Sequence, residues 1–382
     1  MSAAPASTFR RLILPAFAFK AVVIGGGYAT GRELAEYFLP SGPRGGLLAM
    51  ALAAMLWSMM CIVTFRFAQA TRSTDYRSFF RALLGPFAPI FEISYFLLVI
   101  LLLSVFGAAA GSIGTALFGW NISVGTLLLA IAITASVSFG NDSVEAVFKY
   151  VTILLYGTYA IFFVLCVTHF GDRIEAVFSA PAPLPATWPL GGFTYAGYNI
   201  IGAVVILPVL RHLASPRDAV LAGLLCGPFA MLPAFLFFIC MMASYPEIAS
   251  ATLPADTLLQ RLDLPLFRDL FQIMIFAALL ESGSGIVHAV NERVAHSRTQ
   301  SRGTSLPLRA RLAIAVSLLF VATEIAGRFG LVVLIARGYR LIAAVLLCVY
   351  VLPLLTLGIA RLRRSPSPAG SDAKTQREIQ PC

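Results

Sequence analysis

The residues with the clearest potential for chemistry lie on one helical face between 281 and 292. Glu281, Ser284 and His288 are spaced three and four residues apart, and Asn291 or Glu292 continues the row. This spacing places them on the same side of a helix. Glu281 is interpreted as functional, because an ionised carboxylate is costly inside an apolar segment. His288 is interpreted as a residue at the boundary of that segment.

The same segment suggests a serine nucleophile, because His288 lies one helical turn after Ser284. The sequence around Ser284 does not support a hydrolase: a Gly-x-Ser-Gly motif would need glycine at 282, and no oxyanion-hole segment is evident. The four histidines lie on separate segments, and the six cysteines include no Cys-x-x-Cys pair. We therefore expect no catalytic site, no metal site and no disulfide framework.

A second unusual stretch is IGGGYATGRE at residues 24–33, which puts Gly25, Gly26, Gly27 and the pair Arg32-Glu33 inside an apolar segment. Glycine in a helix interior costs about 1 kcal/mol relative to alanine. The run either lets another helix pack closely or opens the helix so that its backbone can bind a ligand.

The composition of the chain indicates that these apolar segments lie in a membrane. The chain is 59% hydrophobic and 12% charged, whereas soluble domains carry about 25% charged residues. The apolar residues come in blocks of about 20, the length of a helix that spans a bilayer. We predict an all-α polytopic membrane protein. Its ten expected spans are 12–39, 45–65, 87–118, 122–139, 146–170, 190–212, 218–243, 266–292, 309–327 and 338–360.

The ten spans divide into two halves of five, 12–170 and 190–360, joined by an extracytoplasmic connection at 171–189. An N-terminal segment at 1–11 and a polar, Pro/Ser-rich tail at 361–382 flank them, and the tail is expected to be disordered. Lys and Arg are concentrated in the connections that share a side with both termini, so we expect both termini in the cytoplasm. The basic residues therefore reflect topology, and no nucleic-acid surface is expected.

The sixth span strengthens the interpretation of the first as an opened helix. It reads LGGFTYAGYNIIGAVVILP at 190–208, with Gly197-Tyr198-Asn199 and Gly202 in its middle. An odd number of spans in each half gives the two halves opposite orientations. Interruptions at matching positions of inverted repeats indicate the binding site of a secondary transporter.

This pattern resembles the five-plus-five inverted-repeat fold of the amino acid–polyamine–organocation superfamily. More closely, GGGYATGRELAEYF at 25–38 and GSGIVHAVNERV at 283–294 resemble a group of uncharacterised bacterial membrane proteins called YkvI. The resemblance covers residues 10–361 and implies a transporter without naming its solute.

The superfamily resemblance implies a solute site lined by the backbone of the two interruptions. The residues implied to contribute to that site are Gly25, Gly26, Gly27, Tyr28, Tyr195, Gly197 and Asn199. Arg32 resembles the arginine of an outer gate whose acidic partner lies on the tenth helix in sodium symporters. The tenth span here contains no acid, so Glu33 or Glu324 would have to be that partner.

The coupling ion stays open between two possibilities. Ser282 and Ser284 resemble the eighth-helix hydroxyls that bind Na⁺ in the sodium symporters, and hard cations prefer oxygen ligands. Glu281 is the alternative, as a proton carrier. No organic cofactor is expected.

The sequence thus predicts a secondary transporter of a small organic solute, an amino acid or a related amine or acid, coupled to Na⁺ or H⁺. It is expected in a bacterial inner membrane, with the solute and the lipid bilayer as partners and with no indication of its oligomeric state. The alternatives are a membrane scaffold, which would not need two matched interruptions, and a channel, for which no filter loop is recognisable. An intramembrane hydrolase is the least favoured alternative.

Overall fold

Helices make up almost all of residues 7–138, 141–302 and 306–364, which are the residues that the computed structural model describes. No β-strand occurs in these ranges. The α-helices are α1 (Leu14–Val23), α2 (Gly26–Ala29), α3 (Arg32–Tyr37), α4 (Gly42–Thr71), α5 (Tyr76–Leu84), α6 (Ala88–Phe118), α7 (Ile122–Ser138), α8 (Asn141–Ser179), α9 (Trp188–Asn199), α10 (Gly202–Val205), α11 (Pro216–Met241), α12 (Pro254–Arg261), α13 (Pro265–Arg302), α14 (Leu308–Val333), α15 (Arg340–Leu346) and α16 (Ile359–Arg364).

Shorter helical segments of other types connect these helices. The 3₁₀ segments are Leu39–Ser41, Gly85–Phe87, Leu207–His212, Met242–Ser244 and Glu247–Ser250. The π-helical segments are Phe9–Ile13, Leu334–Tyr339, Leu347–Val351 and Leu354–Gly358. The all-α class predicted from the sequence is confirmed.

Six helical stretches of the described residues are long and apolar enough to cross a membrane. They are Arg32–Thr71, Tyr76–Phe118, Leu154–Ser179, Pro216–Ser244, Pro265–His296 and Leu308–Arg364. The last stretch covers both the ninth and the tenth predicted spans, and Gly330, with φ 69° and ψ 168°, breaks the helix between them. The first and sixth predicted spans are each divided into shorter helices. The count of ten spans and the boundaries of the two halves stay predictions.

The two interrupted helices differ in how their backbone departs from the α-helix. In the first, Ile24 has an extended conformation (φ −76°, ψ 90°), so the ladder of hydrogen bonds stops between α1 and α2. In the sixth, Ile200 and Ile201 keep right-handed helical angles. The amides of Ala203 and Val204 bond three residues back, at 3.0 and 2.9 Å. The sixth helix is therefore divided into α9 and α10 by a short turn with 3₁₀-type hydrogen bonds.

Small residues bring α11 close to α4, and these two helices form one of the main contacts of the core. Gly223 and Gly227 are one turn apart on α11 and face Ile62 and Ala54 of α4. A β-carbon at Gly223 would lie 2.6 Å from the amide nitrogen of Ile62. Such a spacing of small residues is typical of close helix packing in membranes, and it was not recognised in the sequence.

Replacing Gly227 with alanine tests this contact. The new β-carbon would overlap the carbonyl oxygen of Ala54 and lie 2.5 Å from the hydroxyl of Ser58. We expect Gly227→Ala to destabilise the protein by about 1–3 kcal/mol because α4 and α11 must separate. The melting temperature of the purified protein measures this effect. Gly327→Ala is the control, because nothing lies within 4 Å of the added carbon there. Equal melting temperatures for the two variants would contradict the packing role.

Candidate functional site

The site is built around the broken first helix. After the extended Ile24, the chain makes one short turn, α2, and then turns again at Gly31, whose φ of 78° is left-handed. A β-carbon at Gly31 would be strained by this angle and would lie 2.6 Å from the ring of Phe237. Glycine is therefore the residue that this turn requires. The two turns leave α2 as a short piece between α1 and α3.

The carbonyl groups of this broken region have partners outside the helical ladder. The carbonyl oxygen of Gly27 accepts a hydrogen bond from the hydroxyl of Thr30 at 3.0 Å. The carbonyl oxygen of Ala29 accepts one from the hydroxyl of Tyr159, on α8, at 2.8 Å. Since unpaired backbone groups are costly at membrane depth, these two bonds lower the cost of the interruption.

Glu33, on α3, is a buried carboxylate next to the break. Its side chain is only 3% exposed, and one oxygen accepts a hydrogen bond from the hydroxyl of Tyr198 at 2.7 Å. The other oxygen lies where a β-carbon at Gly27 would be. In the described part of the chain, no Lys, Arg or His lies within ion-pair distance of it. Glu33 thus occupies a site that lacks a positive charge.

Buried tyrosines surround this carboxylate. Tyr37, Tyr195 and Tyr198 have ring centroids 5.7–6.1 Å apart, and Tyr339 stacks on Tyr198 at 4.2 Å. Tyr28 lies within electrostatic range of both Tyr195 and Glu33. We call this set the tyrosine cluster, and its members are Tyr28, Glu33, Tyr37, Tyr195, Tyr198 and Tyr339.

The hydroxyls of Tyr28 and Tyr195 are fully buried and have no hydrogen-bond partner among the described residues. The hydroxyl of Ser284, a residue 2% exposed on α13, is likewise unpartnered there. Buried polar groups are almost always hydrogen-bonded in native structures. These three hydroxyls are therefore available to bind a ligand group or an ion.

Only some of the predicted site residues lie in the tyrosine cluster. Tyr28 and Tyr195 lie in the tyrosine cluster. Asn199 is only 8% exposed, and its amide donates to the carbonyl oxygen of Tyr195 at 3.1 Å, within its own helix. Gly197 packs against Ala343, which would lie 3.1 Å from an added β-carbon. Gly25 contacts Phe106.

The predicted gate residue Arg32 has a different partner from those suggested by the sequence. Its guanidinium donates to the carboxylate of Glu36 at 2.8 Å and to the carbonyl oxygens of Ala249 and Ala251, both at 2.9 Å. Glu33 instead bonds Tyr198, and the other candidate, Glu324, lies 3.7 Å from Arg328. Arg32 therefore ties α3 to the loop that contains Glu247–Ser250. The spacing of Arg32 and Glu36, four residues apart on a helix, was the signal that could have found this pair.

A second ion pair fixes the other end of the first helix. Arg11 donates to the two carboxylate oxygens of Asp218 at 2.6 and 2.8 Å. Asp218 also accepts from the amides of Ala214 and Ser215 in a capping box at the start of α11. This contact joins the segment before α1 to α11, and sequence reasoning missed it because the two residues are far apart in the chain.

The remaining predicted residues lie on α13, which packs against α2. Ser282 and Glu281 are half-buried, and Glu281 lies within electrostatic range of Tyr156 on α8. The ammonium group of Lys20 lies over the same ring, 4.1 Å from its centroid. Tyr156 thus has the ammonium group of Lys20 over its ring and is influenced electrostatically by Glu281.

Replacing single tyrosines of the cluster with phenylalanine distinguishes a hydroxyl that makes a hydrogen bond from one that has no partner. Tyr198→Phe leaves Glu33 without its hydrogen bond, and we expect a loss of roughly 1.5–3 kcal/mol of stability, the range for hydrogen bonds to charged groups. Tyr195→Phe removes an unpartnered hydroxyl from the same cluster, so its melting temperature should equal or exceed that of the unmodified protein. A larger loss in Tyr195→Phe than in Tyr198→Phe would contradict this assignment of partners.

Three solved structures show which fold contains these interrupted helices. No protein-family model and no curated protein sequence matches the chain. The chain is similar to MhsT in complex with L-phenylalanine, with 16% identity, a TM-score of 0.58 and coverage of 91% of this chain and 90% of that one.

It is also similar to a Na⁺-coupled sialic acid symporter (14% identity, TM-score 0.61, coverage 90% and 78%). A third similar structure is a manganese transporter of Eremococcus coleocola (14%, 0.59, coverage 93% and 81%). At these identities the likeness concerns the fold. The chain therefore has the all-helical fold that these membrane transporters share, as its interrupted helices predict.

Proposed function

We propose that this protein is a secondary transporter of a small organic solute that carries an ammonium group, an amino acid or an amine. The observation that carries the proposal is the buried carboxylate of Glu33, which lies at the helix break without a positive partner in the described part of the chain. The fold shared with known transporters supports the same conclusion.

The charge of the cluster selects the solute. A carboxylate that is buried without a cation is costly unless it holds a proton or meets a positive group. An ammonium group provides that charge and three hydrogen-bond donors. The faces of Tyr195 and Tyr198 add the attraction of aromatic rings for cations, worth about 2 kcal/mol or more when desolvated. The free hydroxyls of Tyr28 and Tyr195 can donate to a carboxylate at the other end of an amino acid.

The two ion pairs at the ends of the first helix supply gates for alternating access. Arg32 with Glu36 would close the extracytoplasmic side, where Arg32 also holds the loop at Ala249 and Ala251. Arg11 with Asp218 would close the cytoplasmic side. Alternating access requires one of these contacts to open while the other stays closed.

The coupling ion is Na⁺ or H⁺. The unpartnered hydroxyl of Ser284, with that of Ser282, supports a sodium site on α13 next to α2. Glu281 and Glu33 are the carboxylates that would carry a proton instead. The concentration of Lys and Arg on one side supports an inner-membrane location with both termini in the cytoplasm.

Ligand-induced thermal stabilisation of the purified protein tests the solute class. Amino acids, amines and organic acids are each added in sodium and in choline buffer, at acidic and at neutral pH. A ligand at 100 times its dissociation constant stabilises the native state by about 2.7 kcal/mol. We expect amino acids or amines to raise the melting temperature and acids without an amino group to have no effect.

Glu33→Gln tests the role of the carboxylate, because glutamine keeps the shape and can still accept from Tyr198. We expect this variant to fold and to lose the stabilisation by ammonium-bearing ligands. Glu247→Gln, the same change at an exposed position, should keep it. Undiminished stabilisation of Glu33→Gln would contradict the role of Glu33, and no effect of any ligand on the unmodified protein would overturn the proposed function.

Two glycines of the run should differ when each is replaced by alanine. A β-carbon at Gly27 would overlap the carboxylate of Glu33, whereas one at Gly25 would lie 3.4 Å from the ring of Phe106, an ordinary contact. We expect Gly27→Ala to displace Glu33 and abolish ligand stabilisation, with Gly25→Ala retaining it. The same thermal assay measures both variants, and equal retention would show that Gly27 is not needed for the position of Glu33.

A further inference from the structure

A cleft of about 680 Å³ lies between α5, α6 and α13, away from the tyrosine cluster. Three arginines line it, Arg77, Arg293 and Arg298, against a single carboxylate, Glu92. Arg77 lies 3.3 Å from Glu92, so that this acid is already paired. The lining therefore carries an excess of positive charge.

Arg293 is held in the cleft by aromatic rings. Its guanidinium lies 4.0 Å from the ring centroid of Tyr76 and 3.9 Å from that of Tyr95, and these two rings are stacked almost parallel at an angle of 11°. Within the described ranges, no carboxylate lies within ion-pair distance of Arg293. The planar group is thus fixed in orientation while its N–H donors have no anionic partner, which is the arrangement that suits a phosphate.

The rest of the cleft is apolar and faces outward. Ile93 and Phe96 line it and are 64% and 47% exposed. In a membrane protein, exposed apolar residues of a spanning helix contact lipid chains. The cleft lies at the end of α13 that the distribution of Lys and Arg places on the cytoplasmic side. Positive charge beside lipid-facing apolar residues at this level is typical of sites for anionic lipid headgroups.

We propose that this cleft binds the phosphate group of an anionic phospholipid. Arg293 and Arg298 bind the phosphate, and one acyl chain lies along Ile93 and Phe96. The site is independent of the solute and of the proposed transport. Tyr76, Tyr95 and Arg293 also line a second cleft of about 200 Å³, together with Ile201 and Pro208 of the sixth helix.

Lipid binding to the purified full-length protein in detergent tests the site by native mass spectrometry and thermal stability. The probes are phosphatidylglycerol, phosphatidylcholine with the same acyl chains, and inorganic phosphate. We expect phosphatidylglycerol to bind and to raise the melting temperature, with little effect of the other two. Equal effects of phosphatidylcholine would overturn the proposal, and an equal effect of inorganic phosphate would show a site for a free anion instead of a lipid.

Arginine-to-glutamine variants test whether the lipid binds in this cleft. Arg293→Gln should weaken phosphatidylglycerol binding about fivefold, the affinity equivalent of roughly one arginine near an anionic membrane surface. Arg81→Gln is the matched control, because Arg81 is an exposed arginine of α5 that does not line the cleft. If Arg293→Gln does not fold, Arg298→Gln leaves the stack of rings intact and should weaken binding similarly. Unchanged affinity in the folded arginine variant would overturn the proposal.

Discussion

The burial of one carboxylate, that of Glu33, constrains the structure around the broken helix. Its hydrogen bond from Tyr198 requires α9 to lie against α3. The position of its other oxygen requires that residue 27 have no side chain. Its place on α3 depends on the left-handed turn at Gly31, which directs the chain after α2. Three features that look separate in the sequence, a glycine run, a charged pair and a tyrosine in the sixth span, therefore depend on one another.

Ion pairs hold both ends of the interrupted first helix. At one end, Arg32 makes an ion pair with Glu36 and two hydrogen bonds to backbone carbonyls. At the other end, Arg11 makes a bidentate ion pair with Asp218. Exposed ion pairs contribute little stability, but both of these involve one largely buried partner, Arg32 or Asp218. Breaking either ion pair would leave a largely buried charge without its partner, so another interaction would have to replace it. Such contacts can therefore distinguish one conformation of the protein from another.

The sequence predicted the helical class, the membrane environment and the position of the first interruption, because these depend on local properties. Hydrophobic blocks set the spans, and glycine content sets where a helix is weakest. The partners of charged residues could not be predicted in this way. Arg32 pairs with Glu36, one helical turn further along α3, whereas the adjacent Glu33 does not face Arg32 on the helix and bonds Tyr198 instead. The contact of Arg11 with Asp218 depends on how distant helices assemble, and no local pattern encodes it.

The glycines of the sixth span have a packing role in addition to the interruption between α9 and α10. Gly191 and Gly192 pack against the backbones of Tyr37 and Ala49, and Gly197 packs against Ala343, so these glycines serve close approach while the chain stays helical. The first and sixth helices are therefore interrupted in different ways. In the sixth, a turn at 200–201 whose residues keep helical angles separates α9 from α10. In the first, α2 lies between the extended Ile24 and the left-handed Gly31, so the chain changes direction on both sides of one short helix.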